Sequence, residues 1–208
     1  MSIPKIKTIY IIHYDPLIER KKYLLNFFSN NNITNFKFRN FYQRENLTNE
    51  LKIKYFKLNN LTPAQICITI EHIETYKDII NNSINENNWY LIIEDDAVFN
   101  NNFMDNINKY LDKIPQDAEY LDICDYVQIK SDNLWERNNF TRTNCAYLIN
   151  KKTCEKLIQT IVPFEKAIDH ELNKQFQIHN IKTYWSNIPL IHHGSGSNYC
   201  GSYTQFKN

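Results

Sequence analysis

The chain has 208 residues, enough for one well-buried core and short for two. Hydrophobic residues make up 42% and charged residues 23%, the balance of an ordinary globular domain. A formal net charge of +1 excludes a nucleic-acid scaffold or an anionic membrane surface as the expected partner, because both need a clear basic excess.

No run approaches the ~20 apolar residues of a membrane span. The opening Met1-Ser2-Ile3-Pro4-Lys5 lacks the apolar core and cleavage site of a signal peptide, so a cytoplasmic location is expected. The five cysteines, Cys67, Cys124, Cys145, Cys154 and Cys200, are scattered without CxxC spacing. That pattern gives a zinc ribbon no support, and the apolar runs around Cys67, Cys124 and Cys145 favour reduced, buried thiols there. Asparagine clusters such as Asn30-Asn31-Asn32 fall between apolar runs and read as turns and helix ends.

Thr8 to His13 is a β-branched and aromatic run that predicts a buried strand. Asp15-Pro16 predicts a helix start, with Asp as cap and Pro at the first position, and a helix to about Phe28. Phe36 to Tyr42 reads as a second strand. Thr62-Pro63-Ala64-Gln65 is a capping-box signature, and the following helix carries Ile66, Ile70, Ile73, Tyr76 and Ile80 on one face. Trp89 to Ile93 is a fully apolar strand. Helix is expected from Phe103 to Leu111, Thr153 to Ile161 and Lys166 to Phe176. Further strands are expected at Tyr120 to Ile123, Cys145 to Ile149, Lys182 to Trp185 and Pro189 to His192. Alternating strands and helices predict a single-domain α/β sandwich with a mostly parallel central sheet.

Glu94-Asp95-Asp96 follows the apolar strand directly. In open α/β folds the carboxyl edge of the sheet is where ligands bind. Alternation along an extended chain points Glu94 and Asp96 the same way and Asp95 across. Two converging carboxylates repel unless a cation sits between them, so Mg²⁺ or Mn²⁺ is the natural occupant. The alternative is a solvated turn in which Asp95 or Asp96 caps the next helix.

Several ordered segments resemble glycosyltransferase family 25, which includes bacterial lipooligosaccharide galactosyltransferases and animal procollagen galactosyltransferases. Ile9 to Arg20 is similar to the family's opening strand and donor-binding loop. Leu61 to Tyr76 resembles its T-x-G-E-I-G-C-x-x-S-H helix, with Glu71 in place of the serine before His72. Leu91 to Phe99 resembles I-L-E-D-D-A. Asn144 to Leu157 resembles G-x-x-A-Y-L-I-S-x-x-x-A-x-x-L without the leading glycine.

The resemblance implies a GT-A fold, a UDP-sugar donor carrying galactose or glucose, and inversion at the anomeric centre. A glycan or glycoprotein is the implied acceptor, and Mn²⁺ or Mg²⁺ is implied as the cofactor bridging the donor diphosphate. Glu94 and Asp96, with His193 from His193-Gly194-Ser195-Gly196, would form the metal site. Gly194 and Gly196 would let backbone N–H groups approach phosphate. His13 and Asp15 at the first strand end, Arg20, Glu94 and Asp95 would contact the donor. Asp169 is the candidate general base, with Asp125 in reserve. Asp122 is a further carboxylate near the cleft. Tyr147 and Trp185 read as structural by spacing, and His72 as a hydrogen-bonded core histidine. The departures at Glu71 and the missing glycine motivate a second reading, an inactive relative that binds nucleotide sugar or glycan. A metal-dependent phosphohydrolase is a third, with no phosphate-loop motif behind it.

Overall fold

The computed structural model describes residues 5–57, 60–125, 131–141 and 143–195. Its elements run β1 (Ile6–Ile12), α1 (Ile18–Asn30), β2 (Phe36–Arg39), α2 (Asn49–Tyr55), α3 (Pro63–Asn82), β3 (Trp89–Glu94), β4 (Ala97–Phe99), α4 (Phe103–Asp112) and β5 (Tyr120–Asp122). After these come β6 (Trp135–Asn138), β7 (Ala146–Asn150), α5 (Lys151–Ile158), α6 (Ile168–Ile178), β8 (Thr183–Ser186) and β9 (Ile191–His193).

Seven strands form one sheet in the order β2-β1-β3-β7-β5-β8-β6. The β1–β2, β1–β3 and β5–β8 pairs are parallel, while β7 runs antiparallel to both β3 and β5, and β6 antiparallel to β8. Five strands therefore share one direction, and the expectation of a mostly parallel sheet holds.

The apolar strands follow from burial on both faces. Ile9 and Ile11 of β1 and Leu91 and Ile93 of β3 pack with α1 and α4 through Leu24, Phe28, Phe103 and Ile107. The alternate residues Tyr10, Ile12, Tyr90 and Ile92 pack on the opposite side with Ile66, Ile70, Ile73 and Tyr76 of α3, Leu157 of α5 and Leu172 of α6. The result is a three-layer α/β/α sandwich.

The capping box at Thr62 forms as the sequence predicts: Thr62 Oγ1 accepts from Gln65 N, Gln65 Oε1 accepts from Thr62 N, and Pro63 opens the helix. The start of α1 differs. Its N-cap position is Leu17, with no side-chain cap. Asp15 instead accepts from Asn40 Nδ2 at 2.8 Å, so its carboxylate ties the β1 and β2 loops together. Strands β4 and β6 and helix α2 carry no strong sequence signal, each being too short to show a period.

Candidate functional site

Alternation along β3 sends Tyr90, Ile92 and then Glu94 toward the α3 layer. The strand stops there, because Asp95 and Asp96 lie in a turn between β3 and β4. Glu94 and Asp96 therefore do not share a side by simple alternation, and the three carboxylates take three different sets of partners.

Asp95 turns to the end of β1. Its Oδ1 accepts from Arg20 Nη1 at 2.6 Å, and its Oδ2 contacts His13 Nδ1 at 2.9 Å and accepts from Tyr14 N at 3.0 Å. All three side chains are buried. These contacts make Asp95, Arg20 and His13 an anchor that ties β1 and α1 to the end of β3. Arg20 also donates to Ser195 Oγ at 3.2 Å, carrying the anchor to the segment after β9.

Asp96 faces β9. The small β4–β9 sheet pairs Ala97 with His193, and Gly194 N donates to Asp96 O at 2.8 Å. This register sets His193 Nε2 3.1 Å from Asp96 Oδ2, and Ser195 Oγ donates to the same carboxylate. Burial alone would raise the Asp96 pKa, but the His193 hydrogen bond and charge, helped by Ser195 and Arg20, bring it down to about 2. The hydrogen bond to Asp96 raises the pKa of His193 against the opposing effect of burial, and the charges of Asp96, Glu94 and Asp125 add to the rise.

Asp125 lies on the other flank of β9. It accepts from His192 Nδ1 at 2.6 Å and from His193 N at 2.7 Å. The neighbouring Asp122 is fully buried, accepting from Cys124 N and Thr141 Oγ1, so it supports the sheet and does not face a cleft. Cys145 Sγ lies 3.7 Å from Asp96 Oδ1, one layer beneath the cluster. Cys67, Cys124 and Cys145 are free and buried, as expected, and so is Cys154.

Glu94 meets a residue that sequence reasoning kept in the core. His72 of α3 is fully buried, with Nε2 3.4 Å from Glu94 Oε1 and Nδ1 2.7 Å from Tyr147 Oη. Tyr147 in turn contacts Tyr76 Oη at 2.7 Å. Tyr147 and Trp185 are both buried, and Trp185 Nε1 donates to Phe140 O.

The structure thus brings together, by contact, His13, Arg20, Asp95, Asp96, Asp125, His193 and Gly194 along one edge of the sheet. Asp15 sits beside them in the β1 loop. Gly196 and Cys200 lie outside the described residues. The Gly194 N–H is already taken by Asp96 O. Asp169 stands in the first turn of α6, where its carboxylate accepts from His170 N, and no contact among the described residues joins it to the cluster.

Among the described residues no three His, Cys, Asp or Glu side chains are grouped as a metal site. Asp96 and His193 nonetheless suit a hard divalent cation. Their donor atoms are 3.1 Å apart, close to the edge of about 3 Å between neighbouring ligands on an octahedral ion. Two protein ligands suffice where substrate phosphates and water complete the shell. Glu94 is paired with His72, and its charge also acts on His193.

No helix among the described residues is long and apolar enough to cross a membrane. A sequence comparison with curated proteins gives no match. Among solved structures, one similar chain is a Drosophila beta-1,4-galactosyltransferase 7 mutant in complex with manganese, UDP-Gal and xylobiose. The likeness has a TM-score of 0.42 and 9% identity over 90% of this chain and 70% of that one. At that distance it assigns neither ligand nor reaction to this chain. The family model described as glycosyltransferase family 25 (LPS biosynthesis protein) matches residues 6–141, well over half of the sequence and inclusive of the acidic strand end. The chain belongs to glycosyltransferase family 25.

Proposed function

We propose that this protein moves a hexose, galactose or glucose, from a UDP-sugar to a hydroxyl of a glycan or glycosylated protein, with a divalent metal and with inversion. The observation that carries the reading is the pairing of Asp96 with His193 at the carboxyl edge of the sheet, in a chain of a glycosyltransferase family. Asp96 and His193 would hold Mn²⁺ or Mg²⁺, which when bound supplies charge stabilisation for the nucleoside diphosphate leaving group.

The remaining residues divide by position. The His13–Arg20–Asp95 anchor fixes the β1 loop, including Asp15, on the donor side of the edge. Glu94 borders the same edge and would accept from a sugar or ribose hydroxyl. Asp125 is the proposed base for the acceptor hydroxyl, because its carboxylate borders the metal ligand His193. Asp169 is the lesser candidate, since no contact among the described residues joins its carboxylate to the cluster.

A thermal-shift screen of nucleotide sugars with and without Mn²⁺ tests the reading. A ligand at ~100 times its dissociation constant stabilises a fold by roughly 2.7 kcal/mol. Stabilisation by one UDP-sugar, requiring Mn²⁺ and abolished by Asp96→Ala or His193→Ala, is expected. A folded protein that responds to no nucleotide sugar overturns the transferase reading.

A further inference from the structure

The cluster described above leaves one buried polar chain without a use. Tyr76, Tyr147 and His72 are each fully buried, yet they link hydroxyl to hydroxyl to imidazole to the Glu94 carboxylate, which is partly exposed at the sheet edge. Polar groups placed this deep among Ile70, Ile73 and Ile92 cost stability unless each finds a partner. An apolar core of the same volume would hold α3 on the sheet as well. The chain therefore needs a reason other than packing.

The direction of its hydrogen bonds supplies one. A carboxylate only accepts, so His72 must present Nε2–H to Glu94. In the neutral imidazole Nδ1 is then the acceptor for the Tyr147 hydroxyl. The Tyr147 oxygen can then accept from Tyr76. Burial pushes the Tyr76 and Tyr147 hydroxyls far above their usual range, so both remain neutral donors. With a neutral imidazole, this arrangement points the protons toward Glu94 and selects the Nε2–H tautomer of His72. An imidazole that fixes a carboxylate at the cleft, itself fixed by a further hydrogen bond, is the arrangement that holds functional groups in place elsewhere.

We infer that His72, oriented by Tyr147 and Tyr76, is a positioning residue for Glu94. It holds that carboxylate as a fixed acceptor for a hydroxyl of the bound nucleotide sugar. The inference rests on Glu94 belonging to the donor site proposed above. The hydroxyl belongs either to the nucleoside ribose or to the transferred sugar, and UDP alone against UDP-sugar distinguishes the two.

A double-mutant cycle on the full chain tests it. Tyr147→Phe removes one oxygen without changing the packing. It is expected to lower kcat/KM by about 10- to 100-fold, the usual effect of losing such a partner, and to leave Mn²⁺ binding intact. In a Glu94→Gln background the same change is expected to cost little more, because the group it positions is already altered. If Tyr147→Phe is as damaging in the Glu94→Gln background as in wild type, or harmless in wild type, the inference falls. Should Tyr147→Phe fail to fold, Tyr76→Phe makes the same test one step further from the carboxylate.

A second readout needs no activity. Long-range ¹H–¹⁵N spectra of the ligand-free protein are expected to show His72 as the single Nε2–H tautomer, with Tyr147→Phe releasing that preference. An Nδ1–H tautomer in wild type overturns the inference. If wild type transfers no sugar and binds no nucleotide while the tautomer is as expected, the functional reading fails and the positioning role fails with it. The hydrogen-bonded chain itself would stand.

Discussion

Asp96 and His193 bias each other's protonation, and the sign of each shift sets a pH window. The pKa of Asp96 is lowered to about 2, so its contribution to stability is complete above the ordinary carboxylate value near 4 and is lost on acidification toward 2. The pKa of His193 is raised, so its contribution is complete below the ordinary value near 6.5 and is lost as pH rises through the raised one. Urea denaturation of the metal-free protein should show the largest difference between wild type and His193→Gln at about pH 5 to 6, shrinking on the alkaline side. A difference that grows with pH would contradict the pairing. Glu71 makes a second residue-scale prediction. It accepts from Tyr42 N at 2.6 Å and lies 3.7 Å from the buried Arg39 guanidinium, with burial raising its pKa. Glu71→Ala leaves the Tyr42 N–H without its acceptor and that guanidinium with Asp78, at 3.9 Å, as its carboxylate partner, and should cost about 1 to 3 kcal/mol in equilibrium unfolding. The residue types of this site were legible in sequence because three acids end an apolar strand and a histidine precedes Gly194. Their partners were not. Nothing local tells that Asp95 turns back to Arg20, or that His72, on another element, meets Glu94; both depend on how layers stack.

Elements were legible where the local signal and the tertiary demand coincide. The capping box at Thr62 is satisfied within four residues, so α3 begins where its sequence says; Thr62→Ala should cost about 1 kcal/mol, read as a lower melting temperature with unchanged Mn²⁺ response. Asp15-Pro16 carries an equally plausible helix signal, yet Asn40 competes successfully for the Asp15 carboxylate and the helix starts later. Strand β4 was invisible because three residues cannot show a period. It exists because β9 pairs with it and because Phe99 is clamped between rings, stacked on Phe27 at 3.9 Å and set edge-on to Phe103 at 4.8 Å. Phe99→Ala should remove about 3 to 5 kcal/mol and also weaken Mn²⁺·UDP binding, since β4 carries the turn holding Asp96. Destabilisation with binding intact would uncouple that strand from the site.

At the scale of the molecule, β7 decides the architecture. It comes from the last third of the chain and inserts antiparallel between β3 and β5, joining two sets of parallel strands. The family match ends at residue 141, before this strand, so the matched span lacks the middle of its own sheet. A fragment of residues 1–141 would expose the facing edges of β3 and β5 and strip α5 and α6 from the flank of α3. It should show no cooperative thermal transition and should bind a hydrophobic dye; a sharp transition would show that the first half folds alone. That strand order could not be read from the sequence, because each strand's pattern records that it is buried and not which neighbour it meets. The β4–β9 pairing adds a consequence in time. The contacts that complete the edge join residues 99 and 175 positions apart, Asp96 with Ser195 and Arg20 with Ser195. On the ribosome, the acidic turn is made long before the histidine that faces it. A nascent chain can fold much of its sheet while the acidic turn still lacks the histidine that faces it, so synthesis itself delays completion of the proposed site until β9 and Ser195 have emerged.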